Sequence, residues 1–149
     1  MEVLIRGSRS SAQDWRRAQQ IPLSEIPQLS EEQKAAAQRE HVSEEDYARS
    51  AYAARLTERA TLQKMLKFGR WLEARMEKRR PECRIDSIEL DTWNGKLMVQ
   101  GRAGEEPFSF ELDEDLVERF LTTGAADLER AILRVLEVFI PIERTAKAS

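Results

Sequence analysis

The stretch RIDSIELDTWNGKLMVQGR, residues 84–102, decides the fold. Apolar and polar residues alternate on both sides of Asn94-Gly95, a dipeptide that marks a two-residue type I′ hairpin turn. With Trp93 paired to Lys96, Thr92 falls opposite Leu97, Leu90 opposite Val99 and Ile88 opposite Gly101. Ile88, Leu90, Leu97 and Val99 then share one face, while Glu89, Asp91, Lys96 and Gln100 share the other. Turn chemistry and binary pattern therefore predict the same antiparallel pair.

Toward the C-terminus, Ala103-Gly-Glu-Glu-Pro107 reads as the next turn. Phe108, Phe110 and Leu112 alternate with Ser109 and Glu111 in a third strand. Asp113 is expected to cap a short helix carrying Leu116, Val117, Phe120 and Leu121 that stops near Gly124. A final helix carries Leu128, Ala131, Ile132, Val135, Leu136 and Phe139. Pro141 closes it, and residues 142–149 read as a frayed tail. A three-stranded antiparallel meander with one apolar face needs a cover, and these two helices supply it. The expected fold class is α+β: N-terminal helices including a long one, then the meander and its two covering helices over residues 81–141.

Residues 31–80 read as a helical segment. Ser30-Glu-Glu-Gln33 is a capping box opening one helix, and Ser43-Glu-Glu-Asp46 opens a second with acids in its first turn, where the helix dipole favours them. The second runs without proline from Ser43 to Arg80, as one helix or as two joined by a bend. Its apolar stripe breaks where Arg55, Glu58 and Arg59 occupy the expected angles. The stripe resumes as Leu62, Met65, Leu66, Gly69, Leu72 and Met76. Gly69 in that stripe implies close approach by another backbone element. Phe68 lies on its flank and Trp71 almost opposite, which implies a second contact surface. Lys64, Lys67, Arg70 and Lys78 gather on the side away from the stripe.

Residues 1–30 read as an extended N-terminal arm, interrupted at most by a short helix over 12–20 that contains Trp15. Ile21-Pro22-Leu23-Ser24-Glu25 is loosely echoed by Ile26-Pro27-Gln28-Leu29-Ser30-Glu31. Each proline fixes its own φ and pushes the preceding residue toward extended backbone. Ile21, Leu23, Ile26 and Leu29 on such a strip need a groove, in this chain or in a partner.

Composition narrows the function classes. The 149 residues carry 41% hydrophobic and 34% charged side chains, with net charge −3. That charge is unevenly spread: residues 1–42 are neutral, 43–80 carry +4 and 81–149 carry −7. The basic block and the acidic block either attract each other within one fold or orient a partner. No apolar run approaches the ~18 residues of a membrane span, so no membrane partner is expected. No signal-peptide pattern opens the chain, so the expected location is cytoplasmic.

One cysteine, Cys83, and one histidine, His41, leave no disulfide framework and no multi-cysteine metal site. Arg80 and Arg84 beside Cys83 would lower its pKa if the thiol were exposed, but no base partner accompanies it. Phosphate-binding glycine loops, G-x-S-x-G and H-E-x-x-H are absent. No catalytic, cofactor-binding or metal-binding residue is assigned, and the chain is read as a non-enzyme.

Two nucleic-acid motifs come close and fall short. Ala37, His41, Val42 and Ser43 lie near the helix-turn-helix pattern, but the second helix would present Glu44, Glu45 and Asp46 to phosphates. The order helix, three strands, helix is similar to that of double-stranded RNA-binding domains. Those place lysines where this chain has Asp113, Glu114 and Asp115, so the likeness stays at topology. The expected function is that of a protein-interaction or accessory factor, adaptor- or chaperone-like. It binds a protein partner or a second copy through Ile21, Leu23, Ile26 and Leu29 of the arm and Phe68 and Trp71 of the long helix. The alternative is a nucleic-acid-associated protein using the basic face of residues 55–80, with Lys64, Lys67, Arg70 and Lys78 as contacts.

Overall fold

The computed structural model describes residues 1–7 and 9–139. The expected helix stop at Pro141 and the tail 142–149 lie outside the described residues. The chain divides into two compact units, one of residues 8–61 and one of residues 1–7 with 62–149.

The larger unit holds a four-stranded sheet in the order β1-β2-β3-β4: β1 (Glu2–Arg6), β2 (Cys83–Asp91), β3 (Lys96–Ala103) and β4 (Glu106–Asp113). The α+β class stands, but the sheet has four strands rather than three and is mixed. β1 runs parallel to β2, and the other neighbours are antiparallel. The fourth strand comes from the residues expected to begin an extended arm. Val3 and Ile5 are β-branched, β-favouring residues that pack against the core, and Gly7 follows the end of the strand at Arg6.

The hairpin register also differs. Asp91 pairs with Lys96, Leu90 with Leu97 and Ile88 with Val99. The offset is an even number of residues, so the same four apolar side chains still share the core face. The cause is Asp91. Its carboxylate accepts from the Trp93 amide at 3.0 Å, the Asn94 amide at 3.2 Å and the Asn94 side chain at 2.6 Å. That cap holds Thr92–Gly95 as a loop of full length in which Gly95, at φ 64°, is left-handed and Asn94 is not. A type I′ turn needs both. These bonds, the Asn94 side chain first, also hold the Asp91 carboxyl below its ordinary pKa.

A β-bulge at Asp86 reconciles the rest of β2. Ile85 and Ile88 differ by an odd number of residues, yet both are buried. The extra residue restores the phase. Beside it, the Ile85 amide donates to the Glu73 carboxylate at 2.8 Å. The β3–β4 connection is the tight turn Gly104-Glu105, shorter than expected, and Pro107 sits inside β4 opposite Arg102. β4 is an edge strand, where a missing amide proton is tolerated.

The sheet's inner face packs on α3 (Glu44–Arg79), α4 (Glu114–Thr123) and α5 (Ala126–Phe139). Met65, Phe68, Leu72 and Met76 of α3, Val117 and Phe120 of α4, and Ile132 and Leu136 of α5 complete the core. α3 is one unbroken helix. The gap in its stripe at Arg55, Glu58 and Arg59 falls just before Leu62, where the larger unit begins. A Cβ at Gly69 would meet Met1 Sδ at 2.5 Å and Ile88 Cδ1 at 2.8 Å, so the close approach is by side chains rather than backbone. Asp113 takes the N-cap position of α4 without a side-chain capping bond, because its carboxylate engages Lys96.

The smaller unit contains α1 (Ala12–Gln20), a single 3-10 turn (Leu23–Glu25), α2 (Glu31–Arg39) and the first part of α3. Residues 1–30 are therefore not one extended arm. They supply a strand to one unit and a helix and a turn to the other, with extended backbone at Ile21, Pro22 and Ile26. The capping box at Ser30 and Gln33 forms in full. α2 ends in a Schellman motif: His41, at φ 56°, donates to Gln38 O, and Val42 donates to Ala37 O. His41 is thus a turn residue in a conformation that costs a residue with a Cβ about 1–2 kcal/mol. His41→Gly is expected to raise the stability of this unit by about 0.5–1 kcal/mol, after allowance for glycine's greater freedom when unfolded. Thermal unfolding of the two proteins checks it.

Candidate functional site

The smaller unit has a thin core. Its buried apolar side chains among the described residues are Ala18, Ile26, Ala37, Ala48 and Ala53, four of them alanines. Burial contributes roughly 25 cal/mol per Å2, so side chains this small add little each. Polar staples compensate. Thr57 Oγ1 accepts from the Ser11 amide at 2.9 Å and donates to Asp14 at 2.8 Å, tying the start of α1 to α3. Arg49, on α3, donates to the carbonyls of Ala18 at 2.8 Å and Ile21 at 2.7 Å, closing the C-terminal end of α1. Glu45 holds the same guanidinium at 3.2 Å. Cations at a helix C-terminus satisfy its last carbonyls and oppose the dipole.

These staples fix the course of residues 21–30. The segment bends over α3 and leaves a groove of about 460 Å3. Leu23, Ile26, Pro27 and Leu29 form one side, Ala48 lies in the wall on α3, and Lys34, Glu44 and Glu45 stand at the polar margin. Ile26 is buried and anchors the segment, Leu29 is half-buried, and Leu23 is 49% exposed. An exposed leucine beside an apolar groove is what a binding surface presents before its partner arrives.

Of the residues expected to bind a partner, Leu23, Ile26 and Leu29 come together here. Ile21 does not line the groove; it is half-buried and contributes its carbonyl to Arg49. Phe68 and Trp71 belong to the larger unit. Phe68 is completely buried. Trp71 is half-buried, 4.7 Å from the Phe120 ring, with Arg75 over its face at 5.5 Å. The surface expected opposite the stripe is an internal one, because α4 covers the side of α3 that the sheet leaves free. Phe68 is thereby removed as a contact, and Trp71 is largely used up.

Lys64, Lys67, Arg70 and Lys78 are exposed on α3. Lys64 meets Glu118 at 3.3 Å, and Arg75 meets Glu129, so the basic and acidic blocks do attract each other within this unit. Lys67, Arg70 and Lys78 have no ion-pair partner among the described residues.

Cys83 is buried, and burial pushes its thiol above the ordinary value more than Arg80 lowers it. A thiol so placed is a poor nucleophile. Among the described residues no group of three or more histidine, cysteine or carboxylate side chains could hold a metal ion. No helix among them is long and apolar enough to cross a membrane. The groove-forming role of Arg49 and the staple at Asp14 and Thr57 were invisible in the sequence, because neither follows a local spacing rule. The chain matches no family model, no curated protein and no solved structure.

Proposed function

We propose that this chain is a non-catalytic protein-interaction module, adaptor- or chaperone-like, that takes an apolar peptide segment into the groove of residues 23–48. The groove, with its half-open row of Leu23, Ile26 and Leu29, is the observation that carries this reading. A unit whose own core is mostly alanine gains apolar burial from a ligand that it cannot obtain from itself. Glu44, exposed at the margin, favours a segment carrying a basic residue beside its apolar anchors. The buried lone thiol accords with a reducing, cytoplasmic setting.

A library of displayed peptides selected against the full chain tests it. Enriched peptides should share spaced apolar residues and a lysine or arginine. They should lose at least about tenfold in affinity, roughly 1.4 kcal/mol, for Leu23→Asp and for Leu29→Asp. Enriched peptides that bind both variants as well as they bind the parent would locate recognition elsewhere.

The exposed row of Lys67, Arg70 and Lys78 favours a second reading, contact with nucleic-acid phosphates. Its signature is binding to an oligonucleotide that weakens steeply with salt. Charge reversal of the three residues should abolish it and leave peptide binding intact.

A further inference from the structure

The two edges of the sheet are not alike. β4 carries Pro107, which removes a donor, and ends in charged residues, both common protections for an exposed edge. β1 has no proline and no bulge, and its three central residues are Val3, Leu4 and Ile5. Among the described residues, β1 pairs with no other strand on its outer side.

The backbone alternation of β1 is fixed by one bond. The Thr92 amide donates to the Arg6 carbonyl at 3.0 Å, so Arg6 turns its polar groups toward β2. In a parallel ladder alternate residues face one neighbour. Glu2, Leu4 and Arg6 therefore face β2, and the N–H and C=O groups of Val3 and Ile5 face the free edge.

We infer that the free edge of β1 is a dimer interface, in which two copies of this chain pair β1 antiparallel about Leu4. The sequence EVLIR is complementary to its own reverse in this register. Glu2 falls opposite Arg6 of the partner subunit, Val3 opposite the partner's Ile5, and Leu4 opposite the partner's Leu4. Val3 and the partner's Ile5 are the residues whose backbone groups face the edge, so each such pair exchanges both of its hydrogen bonds. Leu4 and the charged pairs fall at the non-hydrogen-bonded positions, where opposing side chains approach most closely. A two-fold axis through Leu4 makes the contact isologous and closed.

Side-chain exposure agrees with this arrangement. Leu4 is 46% exposed on the outer face, and its partner copy would cover it. Val3 and Ile5 are only partly buried at the margin of the core, which the pairing extends across the two-fold. Arg6 already pairs with Glu89 on the same face and is still largely exposed, so it can share its charge with Glu2 of the partner subunit. A five-residue edge is a small interface, so the dimer dissociates on dilution. The inference rests on β1 alone and is independent of the groove.

Sedimentation equilibrium of the full chain, with Glu2→Arg and Arg6→Glu separately and mixed, tests it. The parent chain should pass from monomer to dimer with concentration. Each variant alone places like charges opposite each other and should sediment as a monomer. The equimolar mixture restores both opposite-charge pairs and should recover the dimer, less so at high salt. Hydrogen exchange of the parent chain supplies a readout that needs no variant: the amides of Val3 and Ile5 should gain protection as concentration rises. A parent chain that stays monomeric with those amides unprotected overturns the inference. So does a dimer that both variants leave intact.

Discussion

Leu90→Asp and Val99→Asp are each expected to unfold the larger unit, whereas Glu89→Ala and Gln100→Ala leave it folded. Leu90 and Val99 are completely buried, and they belong to the cluster formed by the sheet with α3, α4 and α5. Each aspartate would bury a carboxylate with no partner, at a cost of several kcal/mol, about the size of a domain's whole stability. Gln100 is exposed on the outer face, and its loss leaves no cavity. Glu89→Ala forfeits the surface pair with Arg6, worth about 0–1 kcal/mol. Circular dichroism with thermal unfolding separates the outcomes. Equal tolerance at all four positions would mean that the sheet does not present these faces.

The assignment of these faces was legible before the register was, and the reason is general. Strand periodicity fixes which side chains point inward, and it survives any even shift of pairing. The pairing itself depended on Asp91 capping the loop, an interaction that the Asn-Gly signal obscured. Ile85 stood outside the alternation of Ile88 and Leu90, and that misfit was the trace of the bulge at Asp86. β1 was readable too: Val-Leu-Ile ended by glycine is a strand signal, although its parallel pairing with residues more than eighty positions away is not. Trp71 shows the opposite failure. Its helical angle was correct, but angle alone does not reveal that α4 packs on that side. In the groove, the prolines implied an extended strip with apolar residues in search of a surface, and the backbone is extended at Ile21, Pro22 and Ile26 but makes a 3-10 turn over Leu23–Glu25 between them. What held that surface in place was Arg49, whose role exists only in three dimensions.

Gly101→Ala is expected to destabilise the larger unit by about 3–4 kcal/mol, among the largest effects of any single methyl group added to this chain. A Cβ at Gly101 would lie 2.1 Å from the carbonyl oxygen of Arg84 and 2.5 Å from Cζ of Phe108. The first of these neighbours is backbone and cannot rotate away. Arg84 and Ile85 are brought this close by the bulge at Asp86, which bends β2 toward β3 where Gly101 pairs with Ile85. Relief requires either straightening the bulge or parting the two strands. Straightening it would turn Ile85 or Ile88 out of the core. Gly95→Ala is the control. Gly95 sits at φ 64°, with nothing within 4 Å of an added Cβ, so it should cost only the left-handed penalty of about 1–2 kcal/mol. Chemical denaturation of the two variants beside the parent measures the difference. If Gly101→Ala proves no worse than Gly95→Ala, β2 and β3 are not locked together at the bulge, and the joint burial of Ile85 and Ile88 needs another cause.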